Sequence, residues 1–516
     1  MTSNIHPDRK AKLDELRSQG INPYAHRFDG AQPIADVIAE FESKNPEGAE
    51  EAVETSGRVA GRIMARRDHG KSMFLDLKDR TGKIQVYLKK NQIGDEAYER
   101  LSLVDLGDFM GVEGSVAKTR MGEITIFATK YEYLSKALQP IPEKWHGLKD
   151  VELRYRRRYV DLFANDEVAE TFRTRAMIVR RLREFLDQKA FTEVETPMMH
   201  PISGGAAARP FVTHHNTLDM QLFLRVAPEL YLKRLIVGGM ERVYELNRSF
   251  RNEGISTRHN PEYTMLEAYC AYVDYHFLMD LVEEMICYAA EPLFGKDPKI
   301  PVGEDRELNL GRPWRRAKYR DLFQEATGVD MNDRDAVVEL AKKMKFETED
   351  RDFHAIANDI FEEKVEPDLF EPTFVYDYPV EISPLSKCRE DDPSTAERFE
   401  LFIRNMEIVN AFSELNDPID QEERFRKQVD SRDEEAPAEV DLDYVTALEH
   451  GMPPAGGLGL GVDRLTMIFT GSASIRDVIL FPLLRHSPSD PGTAEEGVEA
   501  PAEDSAESAA GAGSGA

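Results

Sequence analysis

Cysteine is scarce in this 516-residue chain, which contains only Cys270, Cys287 and Cys388. They form no CxxC pair and lie far from any cluster of histidines, which argues against a disulfide framework or a structural zinc site. Apolar runs of the roughly 20 residues that span a bilayer are also missing, as is a secretory signal at the N-terminus. We therefore expect a cytosolic protein without a membrane span, and its length suggests roughly three domains.

Positive charge is in short supply as well, because the formal net charge is −29. A role with nucleic acid then needs a local basic surface rather than a basic protein. Two candidate clusters for phosphate contacts are RYRRRY at 154–159 and the group Arg173, Arg175, Arg180, Arg181 and Arg183. Solvated helix faces or a subunit contact explain each cluster equally well.

The N-terminal region combines a helical extension, predicted over 1–54, with a run of short strands. Residues 8–19 have the spacing of an amphipathic helix with Leu13 and Leu16 on one side. From about residue 55 apolar and polar residues alternate, and turn signals separate five such segments. Five short strands in this order favour an OB-fold barrel over 55–139.

One face of this predicted barrel suits unpaired bases. Alternation turns the apolar positions inward and leaves outside the side chains of Phe74, Gln85, Tyr87, Glu123 and Phe127. Aromatic rings beside amide and carboxylate groups can stack on bases and hydrogen-bond to them. Scattered surface aromatics on a barrel are the alternative.

Beyond the barrel we predict a linker over 140–152 and a larger domain over 153–486. A helix is predicted over 166–189, followed by strand-like residues that end at Pro197. Short strands and helices then continue without the regular rhythm of a parallel sheet, which favours an antiparallel sheet flanked by helices. The whole chain is thus predicted to be α+β, with an acidic, disordered tail over 487–516.

A polar loop between two predicted strands, within residues 241–272, concentrates charge. It holds Arg251, Glu253, Arg258 and His259. Cations crowded into a hairpin loop are typical of a phosphate-binding device. In the strand that follows, alternation places on one face Tyr263, Met265, Glu267 and Tyr269. A face that mixes aromatics with a carboxylate is more typical of a site wall than of a core.

A distant glycine-rich strand, PPAGGLGLGVDRLTMIF at 453–469, completes the pattern. Its glycines let a ligand or another backbone approach, and Arg464 then lies in the first turn of the next helix. The glycines are not followed by Lys-Ser or Lys-Thr, so this segment is not a P-loop.

Three motifs together resemble the signatures of class II aminoacyl-tRNA synthetases: the helix and strand ending at Pro197, FRNE at 250–253 and GLGLGVDR at 457–464. The barrel resembles the anticodon-binding domain of the subgroup for lysine, aspartate and asparagine. Four further segments resemble bacterial-type lysyl-tRNA synthetases in particular: SGGAAARPF at 203–211, RVAPELYLKRL at 225–235, YPVEISPLSK at 378–387 and NAFSELND at 410–417.

This resemblance covers residues 8 to about 486. It implies a ligase that activates L-lysine with ATP to lysyl-adenylate and transfers it to the 3′ end of tRNA(Lys). It also implies a homodimer with residues 166–197 near the interface.

A pocket for lysine must neutralise an ammonium, so carboxylates are expected in it. The candidate lysine-binding residues are Gly205, Glu229, Glu267, Tyr269, Asn410 and Glu414. A neutral analogue would leave a buried carboxylate of the pocket unpaired, which costs about 3 to 5 kcal/mol and would reject such analogues. A surface ion pair is the alternative for each glutamate taken singly.

The resemblance assigns ATP binding to Arg251, Glu253, Arg258, His259, Tyr263 and Arg464. Of these, Arg251, Glu253 and Arg464 are expected to be catalytic. Arg251 would bridge the lysine carboxylate and the α-phosphate, and Glu253 would hold adenine or orient Arg251. Arg258 and His259 would hold the outer phosphates, while Tyr263, a Phe in many relatives, and Arg464 would sandwich adenine.

The same comparison makes Glu400 and Glu407 the expected ligands of Mg²⁺. Strict alternation places Glu407 on the strand face opposite Asn410 and Glu414. A bend or bulge is therefore predicted near Val409.

Two other functions fit part of this pattern. A synthetase-like enzyme that modifies a protein would keep the catalytic fold but typically lacks the anticodon-binding domain. An inactive RNA-binding paralogue would be expected to have lost the ATP-handling charges, which are all present here. His214 and His215 are adjacent in an extended segment and point oppositely, so we expect a structural or surface role for them rather than metal binding.

Overall fold

The computed structural model describes residues 5–46, 53–141, 150–206, 208–303, 306–349, 351–430 and 439–485. Contacts divide the chain into two compact units, residues 1–150 and 151–516. The predicted tail and most of the predicted linker lie outside the described residues, and the predicted domain limits remain predictions. In the described part of the chain, no helix is both long and apolar enough to cross a bilayer.

A closed barrel forms the body of the first unit. Its strands are β1 (Thr55–His69), β2 (Ser72–Lys78), β3 (Lys83–Lys89), β4 (Phe109–Lys118) and β5 (Ile124–Ser135). They follow the order β1-β2-β3-β5-β4, and only β3 and β5 pair in parallel. This arrangement confirms the predicted OB-fold.

Helices cover parts of this barrel. They are α1 (Pro7–Ser18), α2 (Ile34–Lys44), α3 (Lys90–Ile93) and α4 (Asp95–Arg100), with a 3₁₀ turn at Leu101–Leu103. Leu16 of α1 and Val37 and Phe41 of α2 are buried in one cluster with the inward side chains of the strands. The predicted helical extension therefore shares the core of the barrel.

The second unit contains many short elements. Its strands are β6 (Thr192–Glu193), β7 (Met199–His200), β8 (Val212–His215), β9 (Met220–Leu224), β10 (Arg242–Phe250), β11 (Glu262–Ala271), β12 (Lys299–Val302), β13 (Arg306–Asn309), β14 (Arg315–Lys318), β15 (Thr373–Pro379), β16 (Thr395–Ile403), β17 (Met406–Ser413) and β18 (Ala455–Gly461). Its helices are α5 (Val151–Arg156), α6 (Arg158–Ala164), α7 (Asp166–Gln188), α8 (Glu229–Val237), α9 (Tyr275–Phe294), α10 (Tyr319–Thr327), α11 (Arg334–Lys343), α12 (Phe353–Lys364), α13 (Pro418–Asp430), α14 (Leu442–Glu449), α15 (Val462–Thr470) and α16 (Ile475–Val478).

The main sheet of this unit has the order β14-β15-β16-β17-β18-β11-β10-β6. The strands from β15 to β10 are antiparallel, as predicted. The outermost strands β14 and β6 instead run parallel to their neighbours, so the sheet is mixed. Neither edge strand is joined to its neighbour by a hairpin, and a long connection permits parallel pairing.

One face of this sheet is covered by α7, α9 and α15. Their apolar side chains share a core with inward residues such as Leu266 of β11, Val409 of β17 and Leu460 of β18. Because side chains alternate along a strand, the residues between these face the other side. That second face carries the candidate site.

Candidate active site

A cavity of about 640 Å³ lies on the face of the sheet opposite α7, α9 and α15. The predicted site residues that line it are Gly205, Glu229, Arg251, Glu253, Arg258, His259, Tyr263, Glu267, Tyr269, Glu400, Glu407, Asn410 and Arg464. Glu414 is the one predicted residue of the catalytic, ATP, lysine and metal sets that does not line the cavity. Segments far apart in sequence therefore meet in one place.

The glycines of β18 form the floor of the cavity, in register with β11. Gly457 pairs with Tyr269, and Gly459 pairs with Glu267. A Cβ at Gly457 would overlap Oε1 of Glu414 and lie 2.5 Å from the ring of Tyr269. At Gly459 the nearest atom would be 3.6 Å away, in Met265. Gly457 thus makes room for side chains of the pocket itself, whereas Gly459 leaves space open to a ligand.

Arg251 and Tyr263 form a pair with unused polar atoms. The Arg251 guanidinium lies 5.4 Å from the centre of the Tyr263 ring. Within the described residues, Nε of Arg251 and the Tyr263 hydroxyl are buried without a hydrogen-bond partner. Burial raises the pKa of Tyr263 to about 12, so the hydroxyl stays protonated. Buried polar atoms are normally satisfied, so both groups are suited to a polar ligand.

Arg464 is delivered by the first turn of α15 and joins two other predicted residues. Its Nη1 donates to the main-chain oxygen of Glu407 at 2.8 Å and to the Glu407 carboxylate at 3.1 Å. Its Nη2 lies 3.2 Å from Nε2 of His259. Burial and then the charge of Arg464 lower the pKa of His259, so this ring is neutral at neutral pH.

The remaining loop residues also face the cavity. Nη1 of Arg258 donates to the main-chain oxygen of Asn405 at 3.1 Å, which holds this cation beside the turn between β16 and β17. The main-chain N–H of Glu253 donates to the oxygen of Arg251 at 2.8 Å. This tight local contact keeps Glu253 and Arg251 together on the cavity wall.

The predicted irregularity in β17 is confirmed. Leu401 pairs with Val409, but the next residue, Phe402, pairs with Glu407, so Ile408 has no partner. This bulge brings Glu407 to the cavity wall that Asn410 also lines.

Carboxylates cluster where Glu400 and Glu407 line the cavity. Glu400 accepts a hydrogen bond from the Tyr378 hydroxyl at 2.9 Å and forms an ion pair with Arg398. Burial raises the pKa of Glu400, and the charge of Glu407 adds to this effect. Burial, followed by the charge of Glu400, raises the pKa of the neighbouring Glu366 to about 8. These oxygens are the hard donors that a divalent cation prefers.

Arg398 was not among the predicted site residues. Its guanidinium donates to Oδ1 of Asn410 at 3.1 Å in addition to its ion pair with Glu400. It therefore links a predicted metal ligand to a predicted lysine-binding residue. In the ladder between β16 and β17, Asn410 pairs with Glu400, and Arg398 reaches Asn410 diagonally with its side chain. The separate sequence patterns do not reveal this contact.

The lysine-binding set contains an internal cation that the sequence patterns also missed. Lys233 is fully buried on α8, and its Nζ lies 2.6 Å from the carboxylate of Glu229 one turn earlier. It also forms an ion pair with Glu414, which is buried beside Gly457. The spacing of four residues between Glu229 and Lys233 is the signal that could have found this pair.

Glu267 differs from these two glutamates. Its carboxylate accepts a hydrogen bond from the Tyr269 hydroxyl at 3.2 Å. No ion pair joins it to a cation in the part of the chain that the structure describes. Burial and then the charge of Glu229 raise its pKa to about 8. A buried carboxylate that faces a cavity without a cation is a site for an ammonium group.

Comparisons with known proteins agree with this geometry. Residues 150–485 match the family of tRNA synthetases class II (D, K and N), and residues 58–134 match the OB-fold nucleic acid binding domain. A lysine–tRNA ligase of Carboxydothermus hydrogenoformans is 55% identical over 484 residues, which cover 92% of this chain and 97% of that protein. The chain belongs to the class II lysyl-tRNA synthetases. The lysine–tRNA ligases of Pelotomaculum thermopropionicum and Bacillus thuringiensis are 54% and 50% identical, over 92% and 93% of this chain and 94% and 96% of those proteins.

Membership of the lysyl-tRNA synthetases makes the chain a ligase and disfavours both alternatives. The OB-fold domain, which enzymes that modify proteins typically lack, is present. The charged residues that an inactive paralogue would have lost still line the cavity, namely Arg251, Glu253, Glu400, Glu407 and Arg464.

The predicted anticodon face of this synthetase carries a row of rings. The centres of the Phe74 and Tyr87 rings are 4.6 Å apart, and those of Tyr87 and Phe127 are 5.5 Å apart. His69 extends the row, 5.8 Å from Phe74. The row therefore crosses β2, β3 and β5 on the outer surface of the barrel.

Gln85 departs from the expected outward position. It is only 7% exposed because its amide donates to Glu123 at 2.9 Å and accepts from the Thr125 hydroxyl at 2.9 Å. Strand alternation assigns Gln85 to the correct face of the barrel, but its side-chain hydrogen bonds to Glu123 and Thr125 keep the amide away from solvent. Glu123, not Gln85, is the exposed member of the pair.

Within the described part of the chain, every arginine of the two basic clusters of this synthetase except Arg157, which is exposed, forms an ion pair with a carboxylate. The pairs are Arg154–Asp161, Arg156–Glu152, Arg158–Asp161, Arg173–Glu170, Arg175–Asp463, Arg180–Glu184, Arg181–Glu184 and Arg183–Glu193. This pairing favours a structural role over phosphate contacts. His214 and His215 are exposed on β8, and His214 lies 3.1 Å from Asp219.

Proposed function

We propose that the cavity of this synthetase joins L-lysine to ATP and that the lysyl group is then transferred to the 3′ end of tRNA(Lys). A lysine carboxylate oxygen attacks the α-phosphorus, the bond to pyrophosphate breaks, and lysyl-adenylate forms. One observation carries the proposal: Arg251 and Glu267 line the same cavity. Among the described residues, the buried Nε–H of Arg251 has no hydrogen-bond partner and the carboxylate of Glu267 forms no ion pair. Positioning and charge neutralisation account for most of such catalysis.

Lysine recognition is proposed for the acidic part of the cavity. Glu229 and Glu267 hold its ammonium groups, and Tyr269 and Asn410 contribute polar contacts. Gly205, whose φ is 91°, brings its main chain close to Glu229. Glu414 lies behind the glycine-rich floor of the cavity and acts on lysine recognition indirectly, through its ion pair with Lys233. Neutral analogues would leave buried carboxylates unpaired, which gives the pocket its selectivity.

ATP is proposed to lie along the loop between β10 and β11. Arg251 bridges the lysine carboxylate and the α-phosphate and stabilises the charge that develops there. Tyr263 and Arg464 enclose adenine, and Arg258 and His259 contact the outer phosphates. Glu253 either binds adenine or orients Arg251.

Mg²⁺ is proposed to be held by Glu400 and Glu407. These residues fit it, because both carboxylates line the cavity, where burial and then the charge of Glu407 raise the pKa of Glu400, and a bound cation would favour the ionised form. Among the described residues, no group of three or more His, Cys, Asp or Glu side chains could hold a metal alone. Phosphate oxygens and water would complete the shell, and the ion would neutralise phosphate charge.

The barrel is proposed to bind the anticodon through Phe74, Tyr87, Phe127 and Glu123. The protein is proposed to act in the cytoplasm, where charged tRNA is used.

A homodimer completes the proposal. Exposed apolar side chains just beyond the predicted interface segment support it: Met198 is 48% exposed and Met199 is 53% exposed.

The test is amino-acid-dependent exchange of pyrophosphate into ATP by the purified protein with Mg²⁺. We expect exchange with L-lysine and none with L-aspartate or L-asparagine, the other substrates of this synthetase subgroup. Exchange with either of those and not with lysine, in folded protein, contradicts the proposed specificity. Light scattering of the same sample measures the molar mass and tests the dimer.

A further inference from the structure

Lys233 is the feature of the lysine pocket that the proposed roles leave unexplained. It is fully buried, its Nζ contacts the carboxylates of Glu229 and Glu414, and it lies 5.4 Å from the centre of the Phe412 ring. A buried ammonium is stable only when it is paired. Here its partners are Glu229, which the proposed function assigns to a substrate ammonium, and Glu414, which lies behind the floor of the cavity.

A count of charges shows what this arrangement lacks. Three carboxylates, Glu229, Glu267 and Glu414, interact here with the single ammonium of Lys233. The nearby guanidinium of Arg225 does not change this balance, because it is paired with Glu245 at 2.6 Å. Burial alone would lower the pKa of Lys233, but the two paired glutamates raise it above its ordinary value, so it stays charged. Burial raises the pKa of both Glu229 and Glu414 despite Lys233. One cation is thus too few for this cluster.

L-lysine supplies the missing charge. Its carboxylate is proposed to meet Arg251, which leaves its α-ammonium and its side-chain ammonium for the acidic cluster. With Lys233, three ammonium groups then face three carboxylates. Without Lys233 the cluster would remain one cation short even with lysine bound.

We propose that Lys233 is a positioning residue that sets the amino-acid specificity: its ammonium orients Glu229 and Glu414 and adjusts the charge of the pocket to a ligand with two ammonium groups. This inference rests on the proposed function and deepens it. An amino acid with a neutral side chain leaves a buried carboxylate unpaired and is rejected.

Other titratable groups surround this cluster and enter any measurement of pH dependence. Tyr444 on α14 has a buried hydroxyl with no hydrogen-bond partner among the described residues, close enough to Lys233 to affect its charge. Arg234 follows Lys233 on α8 and pairs with Asp441 at 3.0 Å. Tyr269 on β11 donates to Glu267. Both tyrosines have a raised pKa because they are buried, so they stay neutral below about pH 9.

The experiment compares Lys233→Met and Lys233→Gln with a matched control, Lys136→Met. Lys136 is equally buried and also contacts two carboxylates, those of Asp105 and Asp108, but it belongs to the barrel unit. Pyrophosphate exchange without tRNA is measured from about pH 6 to about pH 9, and kcat and the KM values for lysine and ATP are extracted separately. Thermal unfolding reports stability.

We expect both Lys233 variants to raise the KM for lysine roughly 100-fold at neutral pH, because an uncompensated buried carboxylate replaces an ion pair. The KM for ATP should stay near the wild-type value. The defect should shrink as the pH rises, because carboxylates that have lost Lys233 are protonated near neutrality and ionise at higher pH. Lys136→Met should lose stability and keep the wild-type KM for lysine.

Each other result has a defined meaning. A wild-type KM for lysine in folded Lys233 variants overturns the inference. Equal losses in the KM values for lysine and ATP, or failure of both variants to fold beside a folded Lys136→Met, assign Lys233 a structural role and overturn it as well. A wild-type enzyme without lysine-dependent exchange instead contradicts the proposed function, so the two failures are distinguishable.

Discussion

Two fully buried lysines, one in each unit, are embedded in different charge environments. Lys136 in the barrel donates to Asp105 at 2.6 Å, to Asp108 at 2.7 Å and to the main-chain oxygen of Leu103 at 2.8 Å. Asp105 also accepts a hydrogen bond from Nζ of Lys12 at 2.6 Å. Two lysines thus meet two aspartates, whereas in the catalytic unit Lys233 pairs with Glu229 and Glu414, and Glu267 nearby forms no ion pair among the described residues.

The difference separates an ion cluster that stabilises a fold from one that binds a ligand. In the barrel every partner belongs to the protein, so the cluster is neutral on its own. In the cavity Glu267 forms no ion pair among the described residues, so the cluster is not neutral on its own, and under the proposed function the ammonium groups of lysine balance it. Charge balance within a buried cluster is therefore a practical criterion for recognising a ligand site.

The largest expected effect comes from adding a methyl group to the cavity floor. Gly457→Ala would force Glu414 and Tyr269 from their positions, because the new Cβ overlaps Oε1 of Glu414. We expect kcat/KM for lysine to fall about 1000-fold in pyrophosphate exchange. Gly114→Ala in the barrel, where a Cβ would overlap the oxygen of Phe127, should destabilise that unit and leave exchange intact. Normal exchange by folded Gly457→Ala would contradict the packing argument.

A slightly smaller effect is expected from Arg251→Ala. The loss of a cation aimed at charge that develops during the reaction lowers kcat roughly 100- to 1000-fold, with less effect on the KM for lysine. Arg67→Ala is the control, since Arg67 pairs with Asp76 at 2.8 Å on the barrel. Single-turnover formation of lysyl-adenylate measures the step. A raised KM with unchanged kcat would assign Arg251 to binding alone.

The raised pKa of Glu267 predicts a pH dependence of lysine binding. Its pKa of about 8 in the folded protein lies above the ordinary 4.5, so the stability it contributes through its protonated form is lost as the pH rises through about 8. Lysine binding needs the ionised form and releases a proton below that pH. The KM for lysine should fall roughly tenfold per pH unit up to about pH 8 and then level off.

Glu267→Gln tests this dependence. It should raise the KM for lysine and abolish its change with pH, while Asp108→Asn in the barrel should affect stability only. A pH profile for lysine that survives Glu267→Gln would assign the titration to another group, such as Glu414.

The smallest expected effect separates the two units by function. Phe74→Ala removes one ring of the stacking row and should weaken tRNA charging roughly tenfold while leaving pyrophosphate exchange untouched. Phe28→Ala is a matched control, because Phe28 is also half-buried on the barrel but packs against Gly111 and Arg58. Equal losses of charging and exchange by Phe74→Ala would refute the stacking role.

Local patterns predicted a large part of this site. Alternation along β11 correctly grouped Tyr263, Glu267 and Tyr269, because a strand side chain faces one of only two directions. The same rule revealed that Glu407 needed a bulge, which occurs at Ile408.

What local patterns could not supply depends on partners distant in sequence. Lys233 is one of many lysines in a helix until Glu414, 181 residues later, is placed beside it. The burial of Gln85 depends on Glu123 and Thr125 from another strand. The parallel edges of the main sheet follow from long connections whose course is not encoded in a short repeat.

The bulge in β17 also makes the backbone register, rather than side-chain chemistry, the sensitive property at Ile408. Ile408 carries no charge and its substitution by another apolar residue leaves the backbone path unchanged. Pairing of Ile408 as a regular ladder residue would restore strict alternation and rotate Glu407 away from the cavity, toward the layer that contains α15. Deletion of Ile408 would instead remove the bulge and leave Glu407 on the cavity face, next to Val409. A carboxylate can thus be lost from the site through a change of strand register alone, although no acidic residue is removed.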